Sequence, residues 1–142
     1  MKLLLDTHVF IWWANEPERL TPKVLSLCKD AENTLILSVA SVWEMQIKIQ
    51  LGKLKIDLSL PVLIRSQQQT NNMQILPIEL KHVLELQNLP PHHHDPFDRL
   101  LIVQAKAEDA LLVSKDKAFK KYPSFYKLSP QRRFETQSLH SP

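Results

Sequence analysis

Short blocks of consecutive apolar residues alternate along the chain with longer stretches in which apolar positions recur every three or four residues. A compact apolar block suits a strand buried on both faces, and the longer period suits a helix with one buried stripe. KLLLD at 2–6 therefore predicts a buried strand that stops at an acid, and THVFIWWANEP predicts a helix closed before Pro17. Thr21 and Pro22 form a cap and first-turn pair for a second helix reaching about Asp30. TLILSV at 34–39 predicts the second strand, and SVWEMQIKIQLG the helix after it. There Ser41 and Glu44 have capping-box spacing, and Gly52, the one glycine of the chain, falls where a helix ends.

Ser59 and Pro61 open a further helix, expected to fade into the polar run QQQTNN, and MQILPI predicts a third strand. LKHVLELQNL predicts a helix stopped by Pro90 and Pro91, DPFDRLLIVQAKAED another, and ALLVS at 110–114 a fourth strand. Strands that are almost wholly apolar and alternate with helices indicate a parallel sheet covered on both faces. The expected organisation is one domain over residues 1–128 and a polar, flexible tail over 129–142.

Composition narrows this little. A hydrophobic content of 44% supports a sizeable core, and no apolar run approaches the roughly twenty residues that span a bilayer. The lone Cys28 excludes an intramolecular disulfide, and no charged-then-apolar leader precedes the first polar residues. A cytoplasmic protein without a membrane segment is expected. Net charge is +3, but between Lys115 and Arg133 seven basic residues face the single acid Asp116. Such a patch is either a solvated face or a surface for a polyanion, with Lys115, Lys117, Lys120 and Lys121 its candidate contacts.

In a doubly wound sheet ligands gather beyond the carboxyl ends of the strands. Asp6 ends the first strand, Asp116 follows the fourth, and Glu44 and Asp98 lie in early turns of helices beside the same edge. Each has a purely structural explanation. Asp6 and Asp116 can cap helices, Ser41 and Glu44 spell a capping box, and Asp95, Pro96 and Asp98 read as a cap, a first-turn proline and a dipole-stabilised acid. Capping does not require four acids to converge on one rim, whereas a hard divalent cation such as Mg²⁺ does want clustered oxygen ligands. Hydrolysis of a phosphate ester is the chemistry such a cluster suits. His92 to His94 have no accompanying cysteine and cannot all face one ion from a regular element, so they are read as loop.

The segments LLLDTHVFIWW, SVASVWEMQIKIQLGKL, LPPHHHDPFDRLLIVQA and LLVSKDKAFKKY resemble the PIN-domain family, and within it the toxins of VapBC-type toxin–antitoxin modules. The resemblance implies a three-layer α/β/α sandwich around a parallel sheet of four or five strands. It implies that Asp6, Glu44, Asp98 and Asp116 hold Mg²⁺ or Mn²⁺ and cleave RNA, with Thr7 and Ser114 as supporting hydroxyls. Asp95, also found in close relatives, is a possible auxiliary. A small VapB-like antitoxin as inhibitor and a homodimer are the implied partners, and the crowded apolar residues Val9, Phe10, Trp12 and Trp13 also suggest a homodimer. Two alternatives stay open. One is a PIN-like domain that binds RNA or a partner without catalysis, and the other is a Mg²⁺-dependent phosphatase, which would need an acid where His8 stands.

Overall fold

The computed structural model describes residues 1–91 and 95–114. Four strands, β1 (Lys2–Leu5), β2 (Thr34–Ser38), β3 (Gln74–Leu76) and β4 (Leu111–Val113), form a wholly parallel sheet in the order β3-β2-β1-β4. The chain runs outward from β1 through β2 to β3 and then returns across the sheet to β4. With the right-handed crossovers usual for parallel strands, this order puts the helices of the outward and return excursions on opposite faces. Leu3, Leu4 and Leu5 of β1 and Leu111, Leu112 and Val113 of β4 are wholly buried, as their apolar blocks predict.

Among the described residues six helices surround the sheet: α1 (Thr7–Asn15), α2 (Pro22–Lys29), α3 (Val39–Gln50), α4 (Leu60–Asn71), α5 (Leu80–Glu85) and α6 (Pro96–Ala107). None is long and apolar enough to cross a membrane. Thr21 caps α2 through a 3.2 Å bond from Val24 N–H, and Asp95 caps α6. Helix α3 ends in a Schellman arrangement, with Lys53 N–H donating to Lys48 O at 2.8 Å and Gly52 N–H to Ile49 O at 3.0 Å. Gly52 has φ +71°, a left-handed conformation that residues with a Cβ seldom adopt.

Three expectations need correction. Ser41 and Glu44 do not form a capping box, because α3 starts earlier and Ser38 caps it, accepting from Ala40 N–H at 3.0 Å. Helix α4 does not fade at QQQTNN. Gln67 Oε1 accepts from Trp13 Nε1 (3.0 Å) on α1 and from Asn71 Nδ2 (2.8 Å) one turn on, so one contact from outside the segment and one within it support its polar last turns. LKHVLELQNL is α5 followed by a 3-10 turn, Leu86–Asn88, rather than one helix. The apolar crowding of α1 is accommodated within the protomer. Val9 and Phe10 are in the core, Trp13 is tied to α4, and the Arg19 guanidinium lies 4.6 Å from the centroid of Trp12.

Cys28 is buried in the core cluster, and burial pushes its thiol from 9.0 up to about 12. The shift leaves roughly a thousandfold less thiolate at mildly alkaline pH, and thiolate is the reactive form. Labelling of the native protein by a disulfide reagent at pH 8 is expected to be slower than in denaturant by at least a hundredfold. Comparable rates would show that Cys28 is accessible.

Candidate active site

The strand order reverses between β1 and β4, and in open parallel sheets the crevice beyond the carboxyl ends at such a point is where ligands bind. Asp6 follows β1 and Ser114 follows β4, and the two side chains meet there. Ser114 Oγ donates to Asp6 Oδ2 at 2.5 Å while Asp6 Oδ1 caps α1, accepting from Val9 N–H at 2.8 Å. The capping role is real, but it engages only one oxygen of the carboxylate. Burial raises the Asp6 pKa above its ordinary 3.8. The bonds from Ser114 and Val9 and the charge of His8 oppose the rise, and the Glu44 charge adds to it.

Helix α3 supplies the second acid. Thr7 Oγ1 donates to Glu44 Oε1 at 2.6 Å and lies 3.0 Å from Ser41 Oγ, whose hydroxyl can donate to it in turn. Lys48, one turn after Glu44, holds Oε2 at 3.0 Å. Asp6, Thr7, Ser41, Glu44 and Ser114 are all buried, so this is a built polar site within an apolar frame. Thr7 and Ser114, expected as supporting hydroxyls, are hydrogen-bonded to Glu44 and Asp6. Ser41 and Lys48 were missed. The spacing of Glu44 and Lys48 did advertise an ion pair, whereas nothing local in the sequence marks Ser41 as the partner of Thr7.

Asp98 reaches the same rim by topology. Helix α6 returns to β4 through a tight turn at its C-terminal end, where Ala110 N–H donates to Ala105 O at 2.9 Å, so its first turn lies at the carboxyl edge of the strands. Asp98 sits half-buried in that turn, and Asp95 Oδ1 accepts from the N–H groups of Phe97 (2.8 Å) and Asp98 (3.3 Å). Arg99 donates to the carbonyl oxygens of Leu86 (3.2 Å) and Pro90 (3.4 Å) and so ties α6 to the preceding turn. Asp116, His92 to His94, the basic residues Lys115, Lys117, Lys120 and Lys121, and the tail from Ser129 lie outside the described residues. Asn caps helices as well as Asp does, so Asp95→Asn is expected to change the melting temperature by no more than about 2 °C and to retain activity. Loss of activity with the fold intact would make Asp95 a functional acid.

Asp6, Glu44 and Asp98 offer oxygen donors only, but among the described residues they do not form a group with donor atoms all within 4.8 Å of one another. Elsewhere, Glu79, His82 and Glu108 have donor atoms within 4.8 Å of one another. His82 does not suit a ligand role there. Its Nδ1 accepts from Glu79 N–H at 3.0 Å and faces the Gln104 amide nitrogen at 3.4 Å, so the proton resides on Nε2. A protonated Nε2 has no lone pair for a metal.

The family model of the PIN domain matches residues 3–124, and this chain belongs to the PIN domain family. It is 29% identical over 121 residues to Ribonuclease VapC22 of Mycobacterium tuberculosis, covering 84% of this chain and 91% of that protein. Its fold is similar to the solved structure of VapBC2 from Rickettsia felis bound to a promoter DNA fragment, with TM-score 0.65 at 21% identity, covering 87% of this chain and 95% of that one. FitAcB from Neisseria gonorrhoeae is also similar, with TM-score 0.56 at 21% identity, covering 89% and 92%.

Proposed function

We propose that this protein is a metal-dependent endoribonuclease and the toxin of a VapBC-type toxin–antitoxin pair, acting in the cytoplasm. The observation that carries the reading is the buried pairing of Asp6 with Ser114 and of Glu44 with Thr7 at the point where the strand order reverses. Similarity to a protein named as a ribonuclease, and to the toxin–antitoxin complexes VapBC2 and FitAcB, supports it. A small VapB-like antitoxin is the proposed inhibitor, and the homodimer that the resemblance implies is the proposed assembly.

Asp6, Glu44, Asp98 and Asp116 would hold Mg²⁺ or Mn²⁺, and the cation, when bound, lowers the pKa of a coordinated water and offsets charge on the phosphate. The chain's own contribution is orientation. Ser114 and the Val9 N–H fix both oxygens of Asp6, and Thr7 and Lys48 fix those of Glu44, so the carboxylates are aimed before any substrate arrives. The phosphatase alternative is disfavoured by His8, which stands where that chemistry requires an acid.

The test is incubation of purified protein with total RNA in Mn²⁺ or in EDTA, followed by sequencing of the new ends. Cleavage at defined sites in Mn²⁺, absent in EDTA and absent from Asp6→Asn, Glu44→Gln and Asp98→Asn, is the expected result. Cleavage that survives all three substitutions would refute the assignment. RNA binding without cleavage by the wild type would favour the non-catalytic reading.

A further inference from the structure

Beside the acidic rim lies a groove of about 350 Å³ between the outer face of α1, the turn at Glu16–Arg19 and the segment that leaves α3. His8, Trp12, Arg19, Lys48, Lys53 and Lys55 are among the residues that line it. Arg19 and the three lysines come from separate stretches of the sequence, and none belongs to the basic run after residue 114. The local fold gathers the lysines. Both Lys53 N–H (2.8 Å) and Leu54 N–H (3.2 Å) donate to Lys48 O, which turns the chain back on the end of α3 and sets Lys53 and Lys55 beside Lys48. The positive φ of Gly52 makes that turn possible.

The charges of this groove are unevenly spent. Arg19 is paired with Glu16 at 3.1 Å and Lys48 with Glu44 at 3.0 Å. Lys53 and Lys55 are exposed and make no ion pair among the described residues. Lys48, which lines the groove, also pairs with Glu44, so one side chain links the groove to the acidic site. A polyanion brought to a cluster of carboxylates needs compensating cations along its flanking phosphates, and a short anion would have no use for a groove leading away from the site.

We infer that this groove is the track for the backbone of single-stranded RNA next to the cleaved bond, with Lys53 and Lys55 as its phosphate contacts. The inference deepens the ribonuclease reading and rests on it. Ile11, Trp12 and Leu54 give the groove an apolar wall against which sugars and bases can lie.

The experiment measures binding of a fluorescein-labelled 20-nucleotide single-stranded RNA of mixed sequence by anisotropy, in EDTA, across a salt series. Wild type is compared with Lys53→Gln/Lys55→Gln and with a control of equal charge change on α2, Lys23→Gln/Lys29→Gln. Single-strand binding loses about 0.7 from the log–log salt slope per phosphate contact removed, so the groove variant is expected to lose about 1.4. Its affinity at low salt should fall at least tenfold, and the control should stay within twofold of wild type. An unaltered slope, or an equal effect of the control, overturns the proposal. So does a groove variant that binds RNA as wild type does but loses affinity for a cognate antitoxin, because the groove would then serve a protein segment. In each of those cases wild-type cleavage in Mn²⁺ leaves the ribonuclease reading standing. Wild-type protein that neither binds nor cleaves RNA removes both.

Discussion

Asp6→Asn is expected to melt a few degrees above wild type in EDTA while losing at least a hundredfold of RNA cleavage. Asn can reproduce both contacts of Asp6. Its oxygen accepts from Val9 N–H and its amide donates to Ser114 Oγ, whose hydroxyl is free to turn, so the cap and the link to β4 survive. What disappears is a buried negative charge near Glu44. A gain on the order of 1 kcal/mol corresponds to about 3 °C for a chain of this length.

The pH dependence has a definite sign. Burial raises the folded-state pKa of Asp6 above its unfolded value, so the favourable contribution of the protonated acid is fully present below the unfolded pKa and is lost as pH rises through the folded pKa. At neutral pH wild type therefore carries the penalty of the ionised form, and its deficit relative to Asp6→Asn should narrow on acidification toward the folded pKa. Mn²⁺ should reverse the order, because a cation that binds only the folded site stabilises by mass action and the variant has lost a charged ligand. If Asp6→Asn melts below wild type in EDTA and gains as much from Mn²⁺, the acids do not form one site.

The second large effect lies away from the acids. Gln104 is wholly buried on α6, accepts from Ser38 Oγ at 2.5 Å and donates to Pro77 O at 3.1 Å. Ser38 in turn caps α3, the helix that carries Ser41 and Glu44. One amide thus joins the helix bearing Asp98 to the start of the helix bearing Glu44. Gln104→Met nearly preserves shape but leaves the buried Ser38 hydroxyl and the Pro77 carbonyl without this partner, at about 1–3 kcal/mol for the hydroxyl and less for the carbonyl, whose residue is exposed. The expected loss is about 3 kcal/mol, or roughly 10 °C in melting temperature. Combined with Ser38→Ala, the losses should be less than additive, since both changes break the same link. Full additivity would show that the two residues act independently.

The sequence by itself determined the strands and the candidate acids. Apolar blocks such as Leu3 to Leu5 and Leu111 to Val113 fit only a doubly covered sheet, and the caps at Thr21 and Asp95 are local chemistry that needs no distant partner. It also marked Asp6, Glu44 and Asp98, because acids at strand ends and helix starts stand out against apolar runs. Only the tertiary structure decided what those acids touch. Ser41 was assigned to a cap by its spacing, yet its neighbour is Thr7, 34 positions away, and Ser38 takes the cap instead. The polar run in α4 stays helical because Trp13 donates to Gln67 across 54 positions. The groove cations are scattered between Arg19 and Lys55 and carry no local signature. Local propensity fixes elements because it acts between near neighbours. A buried hydroxyl or a basic groove is set by partners that meet only when the sheet closes and polar groups must find whatever donors and acceptors the packing brings to them.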